Sequence, residues 1–91
     1  MEVINNVQQN RFEFHIDRRI AKIIYEIKND KYYLVSTQVP KELSGQGIGS
    51  KLIKETLEQI ENMGFKVVAI CPFIQAWFKR HPEKAYLQAD S

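Results

Sequence analysis

The sequence predicts an α+β fold in which three antiparallel strands lead through a helical crossover to a parallel strand, in the order β-β-β-α-β-α. Three patterns predict it. Apolar residues alternate with polar ones over residues 11–39, recur at helical spacing over residues 46–63, and run without a break over residues 67–70. Because an unbroken apolar run is typical of a buried parallel strand, the last run predicts the strand after the crossover.

The first two predicted strands each have one apolar and one polar face. In the first, the apolar face carries Phe12, Phe14 and Ile16, and the polar face carries Arg11, Glu13, His15 and Asp17. In the second, the apolar face carries Ala21, Ile23, Tyr25 and Ile27. Asp17–Arg19 is predicted to be the turn between them. Residues 1–10 are predicted either to begin an edge strand or to fray.

The third predicted strand runs from Tyr32 to Val39 and should be more central than the first, because it is apolar in part on both faces. Asn29–Lys31 is a turn signal between two strand patterns, which predicts a hairpin. Pro40 has no amide hydrogen to donate and is expected to end the strand.

The predicted helix runs from about Gln46 to Met63, with Gly64 as its C-terminal cap. Its apolar stripe has amphipathic spacing and consists of Ile48, Leu52, Ile53, Leu57 and Ile60. After the parallel strand Val67–Ile70, we predict a short helix from Phe73 to Arg80, which Pro82 stops. Residues 83–91 are expected to be a loose tail.

Composition limits the classes of function. A chain of 91 residues, 44% hydrophobic and 26% charged, is expected to form one domain, residues 1–91, with its core over about residues 10–86. A net charge of +2 without a basic stripe argues against nucleic-acid binding, and no apolar run is long enough to cross a membrane.

One cysteine cannot form an internal disulfide, and the first residues lack a signal-peptide pattern, so we expect a cytoplasmic protein. We expect a monomer or a weak dimer, and no metal, because His15, Cys71 and His81 lack ligand spacing.

Three glycines alternate where the third strand leads into the helix: Gly45, Gly47 and Gly49. Glycines let a backbone approach a ligand closely, and the first N–H groups of a helix have no partner within it, so this segment suits a phosphate or diphosphate. The alternative is a glycine-rich turn that only closes the corner. The P-loop pattern fails because Ser50 precedes Lys51, and the dinucleotide pattern fails because Ser50 and Leu52 occupy glycine places.

The segment from Val39 to Ser50 resembles the coenzyme A-binding motif of the GNAT acetyltransferase superfamily. That motif has Gln or Arg, two residues, Gly, one residue, and then Gly or Ala. Gly47 and Gly49 fill its last two named places, whereas Ser44 replaces the Gln or Arg. The downstream runs Cys71-Pro72-Phe73 and Arg80-His81-Pro82-Glu83 are similar to those of a compact GNAT-like subfamily.

The resemblance implies that acetyl-CoA binds between the third strand and the strand 67–70, which would splay apart at their C-terminal ends. The pantetheine arm would bond to the backbone near Gln38 and Val39, the diphosphate would lie on the glycine loop, and the thioester would lie near Cys71. The residues implied to contact the cofactor are Gln38, Val39, Gly45, Gln46, Gly47, Ile48, Gly49, Ser50 and Lys51. Lys41, Lys51 and Lys54 would meet the adenosine phosphates, or they are simply solvated lysines.

Two residues are candidates for catalysis. Cys71 would accept the acetyl group as a thiolate, or it is a small apolar residue of the core. His81 would act as a base or stabilise that thiolate, or it satisfies the last carbonyl groups of the second helix. Phe78 stands where many members of the superfamily carry a tyrosine that acts as a general acid, and phenylalanine cannot donate a proton.

Two functions are therefore considered. The first is an N-acetyltransferase that moves acetyl from acetyl-CoA to an unknown amine or protein acceptor. The alternative is a sensor or interaction module that binds acetyl-CoA and turns it over slowly or not at all. The short chain and Phe78 favour the alternative, whereas the glycine motif and Cys71 fit both.

Overall fold

Five strands form one sheet, and two α-helices pack against one of its faces, in a computed structural model that describes residues 2–89. The strands are β1 (Ile4–Asn6), β2 (Arg11–Ile16), β3 (Arg19–Lys28), β4 (Lys31–Gln38) and β5 (Lys66–Ala69). The helices are α1 (Ile48–Asn62) and α2 (Pro72–Arg80), and short 3-10 turns occupy Val7–Gln9, Lys41–Leu43 and Pro82–Leu87. No helix within the described range is long and apolar enough to span a bilayer.

The predicted mixed sheet is confirmed. The strands lie side by side in chain order, the first four pair antiparallel, and β5 pairs parallel with β4. Both predicted hairpin turns consist of two residues with left-handed backbone conformations. They are Asp17-Arg18, with φ of 47° and 67°, and Asn29-Asp30, with φ of 52° and 62°. Turns of this kind match the right-handed twist of the strands they join.

The N-terminal residues begin an edge strand rather than fray. Strand β1 pairs antiparallel with β2, and Val3 before it is buried. The Gln59 side chain on α1 donates a hydrogen bond to the carbonyl oxygen of Val3, which ties this segment to the helix. Because β1 covers the edge of β2, the strands β2 and β4 are each one place from an edge. The expectation that the third predicted strand is more central than the first is therefore wrong.

Helix α1 packs its apolar stripe against the sheet, as predicted. It begins two residues later than predicted, at Ile48. Gly64 has a φ of 83° and donates to the carbonyl oxygen of Glu61, which is the predicted C-terminal cap. The buried stripe comprises Ile48, Leu52, Ile53, Leu57 and Ile60.

The C-terminal segment is not the loose tail that the sequence predicts. The 3-10 turn at Pro82–Leu87 buries Leu87, and the N–H group of Ala89 donates to the carbonyl oxygen of Val67 at 2.8 Å. This segment covers the outer edge of β5, which would otherwise expose unpaired backbone groups. Strand β5 has the predicted length of four residues but begins and ends one residue earlier than predicted, so Ile70 lies beyond it and is half exposed. Residues 90 and 91 of the predicted tail lie outside the described range.

Glu13 is buried, although the alternation placed it on a polar, solvated face. It is only 4% exposed, and its carboxylate accepts hydrogen bonds from Arg11, from His15 at 2.8 Å and from Asn6 at 3.0 Å. Burial alone would raise the pKa of this carboxyl, but the hydrogen bonds from His15, Arg11 and Asn6 outweigh it and lower the pKa to about 2. The folded protein therefore holds Glu13 as a carboxylate even in mild acid.

This cluster predicts a pH-dependent stability. The folded pKa of Glu13 lies below its ordinary value, so its contribution is complete at neutral pH and is lost as pH falls from about 4.5 through about 2. We expect Glu13→Gln, which cannot ionise, to lower the free energy of unfolding at pH 7 by about 2–3 kcal/mol. Urea titrations of both proteins between pH 7 and pH 2 should show the difference shrink towards the acid end. A difference that stays constant over this range would contradict the assignment.

Candidate functional site

Strands β4 and β5 part after a short parallel ladder. Their pairing ends where Leu34 lies opposite Ala69. The N–H groups of Ile70 and Cys71 then both donate to the carbonyl oxygen of Leu34, at 3.0 Å each. One carbonyl thus receives two successive N–H groups, which means that the chain after β5 turns away from β4.

A β-bulge in β4 lies at the same point. Ile24 on β3 lies opposite Ser36, but Tyr25 lies opposite Leu34, so Val35 has no partner on β3. A bulge bends its strand and increases the local twist. Strand β4 is therefore redirected where its ladder with β5 ends, which agrees with the splayed strands that the glycine motif led us to expect.

Cys71 lies at this gap, as the residue before α2. Its side chain is buried, and its Sγ atom lies 3.5 Å from Oγ1 of Thr37 on β4. Burial raises the pKa of the Cys71 thiol, but the Thr37 hydroxyl and the N–H groups of Ile74 and Phe73 lower it, and the pKa lies below its ordinary value. The gap therefore contains a thiol that ionises more readily than a free cysteine.

The loop between β4 and α1 forms a shallow cradle of about 190 Å³. Gly45 and Gly47 have φ of 81° and 73°, a region that favours glycine. Gly47 is the residue before α1, and no side chain within residues 2–89 caps the first N–H groups of the helix. Those groups have no partner inside a helix, so they remain available to an anion. The cradle is lined by Val39, Leu43, Ser44, Gly45, Gly47, Ile48, Gly49, Ser50 and Phe73.

Gly49 is needed for packing rather than for backbone conformation. A Cβ atom there would lie 2.8 Å from Cε2 of Phe73. That contact is too close, so any larger residue would displace the half-exposed Phe73 ring of α2 from the first turn of α1. Closing the corner, the alternative weighed from the sequence, thus accounts for Gly49 but not for the uncapped N–H groups beside it.

A second groove, of about 330 Å³, adjoins the cradle at Ser50 and lies between α1 and the end of α2. Its ionisable side chains are mostly positive, and it contains an aromatic pair in which the rings of Trp77 and His81 stack with centroids 4.0 Å apart. The groove therefore suits a ligand that has both negative charge and a flat ring. It is lined by Ser50, Lys51, Lys54, Trp77, His81, Glu83 and Lys84.

The two predicted catalytic residues are not brought together. Cys71 precedes α2 and His81 follows it, so they are about 15 Å apart along the helix axis. Nδ1 of His81 donates to the carbonyl oxygen of Trp77 at 2.8 Å, which satisfies one of the last carbonyl groups of the helix. The expectation that His81 stabilises a thiolate at Cys71 is corrected here, because Thr37 and the start of α2 surround the thiol instead.

The remaining predicted residues are divided among three surfaces. Val39 and the glycine loop line the cradle, Lys51 lines the second groove, and Gln38 lines a third groove at the end of β4. Gln46 is exposed and lines none of the three, and Phe78 is buried. Within residues 2–89, the structure gathers no group of three or more His, Cys, Asp or Glu side chains that could hold a metal ion.

Two residues at the site were missed by the sequence analysis. Thr37 contacts Cys71 only because the bulge in β4 turns it towards the thiol, and no local pattern signals a bulge. Phe73 was predicted to start the second helix and belongs to a run that resembles the family, but it was not assigned to the cofactor site, and its ring is a wall of the cradle. The run Cys71-Pro72-Phe73 was the one available signal, since it places an aromatic ring two residues after the thiol.

Comparison with known proteins agrees with this geometry. A family model described as GCN5-related N-acetyl-transferase matches residues 11–87. A solution structure of a GCN5-like protein from Staphylococcus aureus is similar to the chain with a TM-score of 0.75 and 26% sequence identity. The alignment covers 99% of this chain and 89% of that one. No curated protein sequence matches the chain significantly.

Proposed function

The chain belongs to the GCN5-related N-acetyltransferase family, and from that membership we propose that it binds acetyl-CoA and transfers the acetyl group to an amine. The observation that carries the proposal is the uncapped start of α1 beside Gly47, which leaves backbone N–H groups free at the end of a splayed strand pair. Acetyl-CoA supplies an activated acyl group, and the protein supplies its position.

In this proposal, each of three surfaces binds a different part of the cofactor. The N–H groups at the start of α1 hold the diphosphate in the cradle. The gap between β4 and Cys71 receives the pantetheine arm, which bonds to the backbone near Gln38 and Val39. The second groove holds the adenosine end, where Lys51, Lys54 and Lys84 meet phosphate and the Trp77–His81 pair offers a stacking surface. His81 then belongs to cofactor binding rather than to proton transfer.

Cys71 is the proposed acyl acceptor. Its thiolate attacks the acetyl carbonyl carbon, a new C–S bond forms at Sγ, and the bond to the coenzyme sulfur breaks. The proton that Sγ loses ends on the departing coenzyme thiol. The acceptor nitrogen then attacks the same carbonyl carbon, gives up a proton, and leaves Cys71 as it began. The lowered pKa of the Cys71 thiol and its position at the gap support this role.

One observation favours the second candidate, a module that binds acetyl-CoA with little turnover. Phe78 is buried and has no proton to donate, so the superfamily's usual proton donor to the departing thiol has no counterpart there. In the route through Cys71, the departing coenzyme thiol receives the proton that Sγ loses, so this route needs no tyrosine as proton donor.

Turnover distinguishes the two candidates. The full chain would be incubated with acetyl-CoA and a panel of primary amines, and release of coenzyme thiol would be followed against a protein-free control. The proposal predicts thiol release that depends on both amine and protein. Binding of acetyl-CoA in calorimetry, without release for any amine, would establish the binding module instead, and absence of binding would contradict both.

A further inference from the structure

A third groove, of about 480 Å³, lies at the end of β3 and β4. It contains one charged side chain, Lys22, and one side-chain amide, Gln38, whose backbones lie directly opposite each other on the two strands. The volume is in the range of sites that bind small molecules. It is lined by Ile20, Lys22, Thr37, Gln38, Val39 and Pro40.

This groove reaches the site from the other face of the sheet. Lys22 lies opposite Glu13 and Gln38, and these positions alternate with the buried residues Ala21 and Ile23 that face the helices. The groove nevertheless meets the candidate site, because Thr37 hydrogen-bonds to Cys71. Thr37 thus belongs both to this groove and to the surroundings of the Cys71 thiol.

The charge of the groove is positive and unbalanced. Glu13 lies directly opposite Lys22, yet its two carboxylate oxygens are taken by Arg11, His15 and Asn6. Among residues 2–89, no carboxylate lies within 4.0 Å of the Lys22 ammonium group, since the ion pairs there are Arg11–Glu13, His15–Glu13 and Arg19–Glu42.

The surroundings do not cancel this charge. Glu42, close to the groove in the chain, is paired with Arg19 at 3.3 Å. The amide nitrogen of Gln38 makes only a long contact of 3.4 Å with Ser36. In the described part of the chain, the groove therefore presents one unpaired cation and a lightly engaged amide, both suited to a carboxylate. The apolar side chains of Ile20 and Pro40 also line it.

We infer that this groove binds the acetyl acceptor, and that the acceptor is a small primary amine which carries a carboxylate. Lys22 holds the carboxylate, and the amino group points past Thr37 to the acyl group. The transfer forms a C–N bond at the carbonyl carbon and breaks the thioester C–S bond, and the nitrogen proton ends on the released thiol. This inference rests on the proposed function, since the groove is an acceptor site only if the gap holds an acyl thioester.

The test compares matched amines on the full chain saturated with coenzyme A. Glycine, β-alanine and γ-aminobutyrate, each paired with its own amide, would be titrated while the backbone amide signals of Ile20, Lys22 and Gln38 are followed by NMR. We expect at least one acid to bind at least about fivefold more tightly than its amide. Lys22→Gln should remove that preference, and Lys28→Gln, on the same strand at the far end of the sheet, should keep it.

Each other outcome decides against the inference. Equal binding of every acid and its amide, or no change of these three signals, overturns it, as does a preference that survives Lys22→Gln. The proposed function is assessed separately by the signals of residues 47–50 when coenzyme A is added. If those signals respond and the groove does not, the cofactor proposal stands and only the acceptor class is wrong.

Discussion

Gly47→Asp is expected to weaken acetyl-CoA binding at least about tenfold, or about 1.4 kcal/mol. Gly47 is the residue before α1, and the cofactor diphosphate is proposed to lie on the N–H groups that follow it. A carboxylate at this position would repel the diphosphate and compete for the same donors. Apart from the two neighbouring residues, no atom of residues 2–89 lies within 4 Å of where the new Cβ would stand, so the free protein has room for the side chain. Calorimetric titration with acetyl-CoA measures the loss.

The matched control is Gly47→Asn. Gly47 has a φ of 73°, and asparagine and aspartate are the non-glycine residues that best tolerate this conformation, so both variants carry similar backbone strain. They differ chiefly in charge. We expect the asparagine variant to lose less than about threefold in affinity. Equal losses in the two variants would mean that side-chain bulk, rather than charge next to a phosphate, disturbs the site.

The second large effect concerns Cys71. Incubation of the protein with acetyl-CoA, without an amine, should leave a mass increase of one acetyl group, and Cys71→Ala should abolish it. Acetyl-CoA affinity should be nearly unchanged, because the proposed phosphate contacts lie on the cradle and the second groove. Intact-mass spectrometry with peptide mapping locates the adduct. Acetyl found only on lysines, or not at all, would make Cys71 a residue that lines the gap.

The pH dependence of Cys71 acetylation shows whether Thr37 or His81 lowers the pKa of the thiol. A thiolate nucleophile loses activity as pH falls below its pKa, and hydrogen bonds from Thr37 lower that pKa. Thr37→Val should therefore move the titration of Cys71 acetylation to higher pH. His81→Ala should leave it in place, because His81 lies at the other end of α2. If the titration shifts only in the His81→Ala variant, His81 and not Thr37 stabilises the Cys71 thiolate, contrary to the structure.

The sheet and helices could be predicted because their patterns are local. Burial on one side of each element produces the alternation in β2 and β3 and the amphipathic stripe of α1. Most of the apolar residues of these patterns are buried in the structure. The C-terminal segment could not be predicted, since its place depends on the unpaired edge of β5, which is distant in sequence. Glu13 shows the same limit. Alternation gives the correct face for it, but only the neighbouring strands bring Asn6, Arg11 and His15 around its carboxylate.

The glycine loop was the most predictable part of the candidate site. The positive φ of Gly47 favours the glycine that the motif has at this place, and the close approach of Phe73 to Gly49 favours the small residue that the motif has there. Gly45 also has a positive φ, although the motif leaves its place open. The gap was predictable only through the family resemblance, because a bulge at Val35 has no sequence signature. No sequence pattern indicated the groove at Lys22. Its positive charge depends on Glu13, which pairs with other side chains and leaves Lys22 unpaired among the described residues.

Binding of acetyl-CoA at the cradle and the gap is the central claim, and amide chemical-shift mapping tests it most directly. The full chain, labelled with nitrogen-15, would be titrated with acetyl-CoA up to millimolar concentration. We predict that the largest shifts fall on the amides of residues 47–50, with further shifts at Thr37 and Cys71 across the gap. Saturation without those shifts, or no response at any concentration, would contradict the account.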